Sequence, residues 1–258
     1  MASSESRRRK QLEKKKKKRD EKRHSLVLRR NMSLADKLKS KSKYPIYECY
    51  VSESLLDAEL GEVIFTRRAP TGEIVMGMFL IDRMCMGVKN CFGTFRSMME
   101  FRDVLEKLQA NGRVLRPIEA STARQTVERA VQFAADCGLS PHADYASCKF
   151  IFGDTPTIDS DDIPEFGING KPHFIPGPFE SGPKIQLILA RLQKHCGAGN
   201  YHFTLPLGVP AEDFDLSDTD FSDDEEFLDN DGADEELLES ETPSVTVIDP
   251  IQRQSDTF

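Results

Sequence analysis

The chain has 258 residues and a formal net charge of −8, but that total hides two charged ends. Residues 1–43 carry 18 Lys/Arg against 5 Asp/Glu (+13), residues 211–258 carry 1 against 18 (−17), and residues 44–210 are left at −4. Like-charge ends cannot bury enough apolar surface to offset ordering entropy, no apolar run is long enough to cross a bilayer, the N-terminus lacks a signal peptide's apolar segment, and six cysteines spread through the middle do not make a short secreted disulfide scaffold.

The expected organisation is therefore a disordered basic arm (1–43), one globular domain (44–210) and a disordered acidic tail (211–258), in a reducing, cytoplasmic setting with free thiols. From Arg7 the arm reads RRRKQLEKKKKKRDEKRH, with Glu13 and Glu21 interrupting the basic run without creating an apolar face. Leu26, Val27 and Leu28 are its first apolar cluster. Arg7, Arg8, Arg9, Lys10, Lys14, Lys15, Lys16, Lys17, Lys18 and Arg19 are candidate nucleic-acid contacts, since such a run neutralises phosphates and releases counterions. The same composition suits a nuclear address or an anionic membrane surface. Without interleaved aromatics for base stacking, nucleic-acid binding would be indifferent to sequence.

The globular part opens at Tyr44 with YPIYECYVS, a strand with Pro45 near its start, where a missing N–H is tolerated. Ser54 to Leu60 suits a helical turn. From Gly61 to Asp82, two β-rich runs flank Ala69-Pro70-Thr71-Gly72, which reads as a hairpin turn; Val75 to Ile81 is its inner strand. Gly87 and Gly93 make residues 83–95 a bent or bulged strand, or a loop lining the sheet. Ser97 and Glu100 form a capping box, followed by a helix with Phe101, Val104, Leu105 and Leu108 on one face and a stop near Gly112. A second helix starts near Ser121, with Val127, Ala130, Val131 and Ala134 inward and Gly138 just past its end. Cys148 to Phe152 reads as a short apolar strand. After an acidic loop, Asn169-Gly170 signals a second hairpin, whose returning strand Pro172 demotes to an edge. Ser181 caps a third helix carrying Ile185, Ile188, Leu189 and Leu192 and ending at Gly197, and Tyr201 to Leu207 makes a last strand. The fold class is α+β, a single domain with a mainly antiparallel sheet and about three packed helices. In the tail, Phe214, Phe221, Phe227 and Leu228 punctuate acid and would anchor it on a basic partner or on the chain's own arm.

Motifs for a P-loop, a dinucleotide fold, HExxH, GxSxG and paired CxxC are absent. The nearest metal-like set is Cys137, His142 and Cys148, with Cys85 or Cys91 as a fourth ligand. Its spacing is loose and Cys137 falls on an apolar helix face, so separate buried thiols explain it more simply and neither metal nor cofactor is expected. His142 with Asp144 two residues on could be a general base and its orienting carboxylate, or a loop bonding its own backbone. Arg67, Arg68, Lys89 and Lys171 could form an anion-binding face, although strand alternation puts only one of two adjacent arginines on a given face.

The phrases YPIYEC, RRAPTGEIVMGMFLIDRMCMGVKNCF, CGLSPHADY and FGINGKPHFIPGP together resemble an uncharacterised family of bacterial, planctomycete-type proteins. That family shares a YPI-x-EC-like start, an FLVD-x-x-CLGVK-like core, a GF-x-PH-x-DF-like turn and an FG-x-DGKP-like hairpin before GP. The resemblance spans roughly residues 44–196, with MCMGV at 84–88 in place of the family's leucine. It implies the domain limits and, the family having no established activity, no catalytic residue. The expected function is that of a non-enzymatic interaction protein tethered to nucleic acid or ribosomes by its arm. The alternative is an enzyme with a dispersed site around His142, Asp144 and the Phe166–Pro178 loop, acting on a small molecule, phosphorylated or not.

Overall fold

The structure is a computed structural model that describes residues 14–19, 32–157, 163–177 and 180–204. The readings placed on Arg7, Arg8, Arg9, Lys10 and the acidic tail with Phe214, Phe221, Phe227 and Leu228 lie outside the described residues. The elements are α1 (Leu34–Lys41), β1 (Ile46–Ser52), α2 (Glu53–Asp57), β2 (Leu60–Arg68), β3 (Ile74–Asp82), β4 (Gly87–Arg96), α3 (Met98–Ala110), β5 (Leu115–Pro117), α4 (Ala120–Asp136), α5 (Tyr145–Cys148), a 3-10 helix (Lys149–Phe152), β6 (His173–Phe174), α6 (Gly182–Cys196) and β7 (His202–Phe203).

The Gly61–Asp82 hairpin forms as expected, with β2 and β3 paired from Leu60↔Asp82 to Arg68↔Ile74. Its turn closes with Gly72 N–H on Ala69 C=O and Ala69 N–H on Glu73 C=O, while Gly72 takes φ +85°. That is a tight turn followed by a left-handed residue, and glycine adopts that conformation at no steric cost. All pairings in the five-stranded sheet are antiparallel, in the order β4-β3-β2-β1-β5. The glycine-bearing stretch 83–95 becomes a turn and β4, with a register shift that leaves Lys89 bulged between Val88 and Asn90. Asp82 builds the turn by accepting the amides of Met84, Cys85 and Met86.

Alternation along the strands divides the core into two faces. Ile64, Ile74 and Met76 meet Phe101, Val104, Leu105 and Leu108 of α3. On the other face Val63, Phe65, Val75, Phe79 and Ile81 meet Ala123, Val127 and Ala130 of α4, together with Cys148, Ile151 and Phe152. Helix α6 closes a third cluster, its Ile188, Leu189 and Leu192 packing with Cys85, Ala134, Cys137 and Phe174. The three expected helices are thus α3, α4 and α6, and the expected α+β domain with a mainly antiparallel sheet is what forms. Both bonds of the Ser97–Glu100 capping box are present. At the end of α4, Gly138 N–H bonds Ala135 C=O and Leu139 N–H bonds Ala134 C=O, a Schellman closure.

Three expectations need correction. Cys148 to Phe152 is helical, not a strand: α5 ends at Cys148 and a 3-10 turn follows. An apolar run of that length does not distinguish the two, and here a buried guanidinium captures its carbonyls in a turn geometry that no strand ladder supplies. Packed structure also begins before Tyr44, because α1 lies within the stretch assigned to the arm and Leu38 is fully buried. Of the expected last strand, the described part is His202–Phe203, paired in parallel with β6 and not antiparallel like the main sheet, and residues 205–207 lie outside the described residues. Asn169-Gly170 does make its turn, with both residues at positive φ and a bridge from Ile168 to Lys171.

Candidate functional site

The basic residues fall into two described parts. Residues 14–19, KKKKKR, are helical and all six side chains are exposed. Helix α1 is a second, clamped part. Ser33 accepts the Asp36 amide at its N-cap, and Leu34 and Leu38 pack under it against the sheet's α4 face. Two of its three lysines lie over aromatic rings, Lys39 above Phe150 at 5.6 Å and Lys41 above Phe95 at 4.0 Å, while Lys41 also pairs with Glu73. Cation–π contacts of this kind hold the stems while leaving positive charge at the surface. Composition masked this helix. The signals were present in the Ser33-x-x-Asp36 cap and in leucines four apart.

The four cations proposed for an anion face do not converge. Arg67 is buried, with 3% of its surface exposed. Its Nε donates to Ile151 C=O (2.6 Å), Nη1 to Tyr44 C=O (2.7 Å), and Nη2 to Phe152 C=O (2.6 Å) and Thr155 Oγ1 (2.9 Å). Burial lowers its pKa and the nearby Asp154 charge partly restores it; an arginine still stays charged. Arg68 turns to the opposite face and lies over Tyr47 at 5.6 Å. Lys89, on the bulge, is paired with the buried carboxylate of Glu180 at 2.6 Å. Lys171 donates to Gly199 C=O at 3.1 Å.

His142 and Asp144 form a self-contained loop. His142 N–H bonds Val88 C=O, its own C=O accepts Tyr145 N–H, and its Nδ1 accepts the backbone N–H of Asp144 at 3.3 Å. The imidazole is thus oriented by a main-chain amide rather than by the Asp144 carboxylate, which is the arrangement of a local turn and not of a base with its orienting acid. Within the Phe166–Pro178 segment, of which Pro178 lies outside the described residues, Gly167 and His173 are tied instead to the β3–β4 turn, through Gly167 N–H on Arg83 C=O and His173 N–H on Met84 C=O.

Cys137, His142 and Cys148 do not gather. Among the described residues no group of three or more His, Cys, Asp or Glu side chains is placed to hold a metal ion. The thiols pair elsewhere, Cys148 with Cys91 and Cys137 with Cys196. The Cys148 contact and burial push Cys91 far above the usual thiol range. Burial, with the neighbouring Cys196, raises Cys137 to about 12, and burial raises Cys49 to about 11. These are neutral, packed thiols.

Two features were not legible in the sequence. On the α3 face, Arg102 forks onto Glu48 (3.0 and 2.8 Å) and reaches Tyr47 Oη (2.9 Å), while Tyr50 Oη donates to Glu48 at 2.8 Å. An open cavity of about 590 Å³ lies beside β1 and the start of α4, lined by Val51, Leu56, Ile118, Thr122, Thr126 and Pro164 among others. None of the residues singled out from the sequence lines it. No protein-family model, curated protein or solved structure matches this chain.

Proposed function

We propose that this chain is a non-enzymatic binding protein whose basic arm holds the α+β domain on nucleic acid or on a ribosome. The observation that carries the reading is the run Lys14–Arg19, six consecutive cations whose side chains are all exposed. Further along the chain the basic stretch ends in α1, whose Leu38 is buried in the core with the half-buried Leu34 packed beside it, and whose Lys39 is exposed. A tether needs both properties, an exposed polyelectrolyte and a firm attachment to its cargo. The residues best suited to catalysis, His142 and Asp144, are held by their own loop, which favours binding over turnover.

The test is binding of mixed-sequence single-stranded RNA by the full chain and by a full-length variant with Lys14–Lys18 replaced by glutamine. About six phosphate contacts give a log–log salt slope near −4 for single strands, so affinity falls roughly 250-fold between 50 and 200 mM salt. The glutamine variant is expected to lose most of that slope. Equal slopes in the two proteins, or no binding by the parent at 50 mM salt, overturn the proposal.

A further inference from the structure

Strand β4 is an outer strand of the sheet, with β3 on one side only. The main-chain phase of the sheet follows from its contacts. Ala69 N–H bonds Glu73 C=O on the β3 side of β2, and Arg68 N–H bonds Pro45 C=O on the β1 side. Main-chain groups of successive residues alternate between the two neighbours. The even-numbered residues of β3 therefore face β4, where Asn90, Phe92, Thr94 and Arg96 are their partners. Cys91, Gly93 and Phe95 must then direct N–H and C=O away from the sheet. Beyond the bulge Val88 faces outward too, and its C=O takes the N–H of His142 at 2.9 Å. No backbone group outside the sheet bonds Cys91, Gly93 or Phe95 among the described residues. Three consecutive outward positions of an edge strand are a template for one more strand.

We propose that residues 244–249 of the same chain, SVTVID, add to this edge as a sixth strand. Val245, Thr246, Val247 and Ile248 are four β-branched residues in succession, in a tail otherwise dominated by Asp, Glu and Ser with Phe and Leu singly or in adjacent pairs. Pro243 and Pro250 bracket the run and set its length to that of a short strand. The described chain ends at Thr204, and the intervening stretch spans about 35 Å even as a random coil, enough to reach the far edge of a domain this size. Charge favours the same seat. The segment lies in a stretch of net charge −17, whereas the edge carries Arg96 and adjoins α1, whose Leu34 and Leu38 lie against Gly93 and whose Lys37, Lys39 and Lys41 are basic. Strand addition of this kind draws its affinity from main-chain bonds and its specificity from alternate side chains. The inference is independent of what the arm binds.

Amide hydrogen exchange on the full chain tests it, comparing the parent with Val247→Pro, which removes a main-chain N–H from the segment. The Cys91, Gly93 and Phe95 amides are expected to be protected in the parent, at a level that does not vary with protein concentration, and to lose roughly tenfold or more of that protection in the variant. The Val63 amide, in central β2, serves as the internal reference and should not change. Exchange that is equally fast in both proteins overturns the proposal, as does equal protection in both. Protection that rises with concentration together with a dimer mass by light scattering also overturns it, since the edge then pairs with a second copy.

Discussion

Replacing Arg67 by methionine tests whether one buried cation holds the segment after α5 onto the sheet. The methionine keeps the stem's apolar contacts and deletes four hydrogen bonds, to Ile151, Tyr44 and Phe152 carbonyls and to Thr155 Oγ1. At about 1.5–3 kcal/mol for each bond to a charged donor, the gross loss is about 6–12 kcal/mol. Relief from burying a guanidinium returns several kcal/mol of that. The net loss is then about 3–5 kcal/mol, because the carbonyls are left buried and unpaired. Urea unfolding followed by circular dichroism reads this as a midpoint lower by about 1.5–2.5 M, for a slope near 2 kcal/mol/M. Arg67→Lys should fall between the two, since one ammonium cannot span carbonyls contributed by three residues. A loss below about 1 kcal/mol for Arg67→Met would refute the reasoning, because it would mean that water satisfies the Ile151 and Phe152 carbonyls as well as arginine does.

Two further outcomes follow from geometry and charge. Gly87 and Gly72 both have positive φ, but a Cβ at Gly87 would lie 2.4 Å from the main-chain carbonyl oxygen of Ala130 in α4, while one at Gly72 would meet nothing within 4 Å. Gly72→Ala should cost about 1–2 kcal/mol of backbone strain and Gly87→Ala about 2–3 kcal/mol more; equal losses in chemical denaturation would exclude the crowding. Burial pushes the Glu48 carboxyl up, but bonds from Arg102 and Tyr50 and the Arg102 charge outweigh it and hold its pKa below the ordinary value. A carboxyl depressed in the folded state contributes stability above its unfolded pKa and loses it as pH falls through the folded one. Glu48→Gln should therefore be less stable at pH 7, by no more than about 1 kcal/mol for so exposed a pair, with the gap closing below about pH 4; a gap constant from pH 7 to pH 3 would contradict the assignment.

Features set by neighbours in sequence were legible. The Ala69–Gly72 turn, the Ser97–Glu100 box, the Gly138 helix stop and the Asn169-Gly170 turn each depend on a few adjacent residues, and each formed where its signal stood. Features set by distant groups were not. The run from Cys148 to Phe152 is apolar in either conformation, and what makes it helical is Arg67, far away in the chain. Helix α1 looked like part of a solvated arm because lysines outnumber its two leucines, and only the aromatic rings of Phe95 and Phe150 show why those lysines lie flat. The three-residue strand β5 has almost no periodicity, and its place depends wholly on β1. For the candidate site the sequence posed the alternatives at His142 correctly but could not choose, since Nδ1 could equally have met a carboxylate or an amide.

The position of β5 has a consequence for how the chain acquires its fold. Strands β1 to β4 are a meander of nearest neighbours, each able to zip onto the last as soon as its turn has formed. Strand β5 instead pairs with β1 across the whole meander and α3, so it carries the large loop-closure cost that slows non-local contacts. In a chain made from its N-terminus, β1 presents an unpaired edge throughout that interval. The clasp that ends it is brief, seated by Glu53 N–H on Val114 C=O and Ile118 N–H on Cys49 C=O. Pro117, lacking an N–H, leaves the finished edge with one donor fewer. The shortest strand in the sheet is thus the one that covers the β1 edge of the nascent domain, and it does so with a proline on its own outer side.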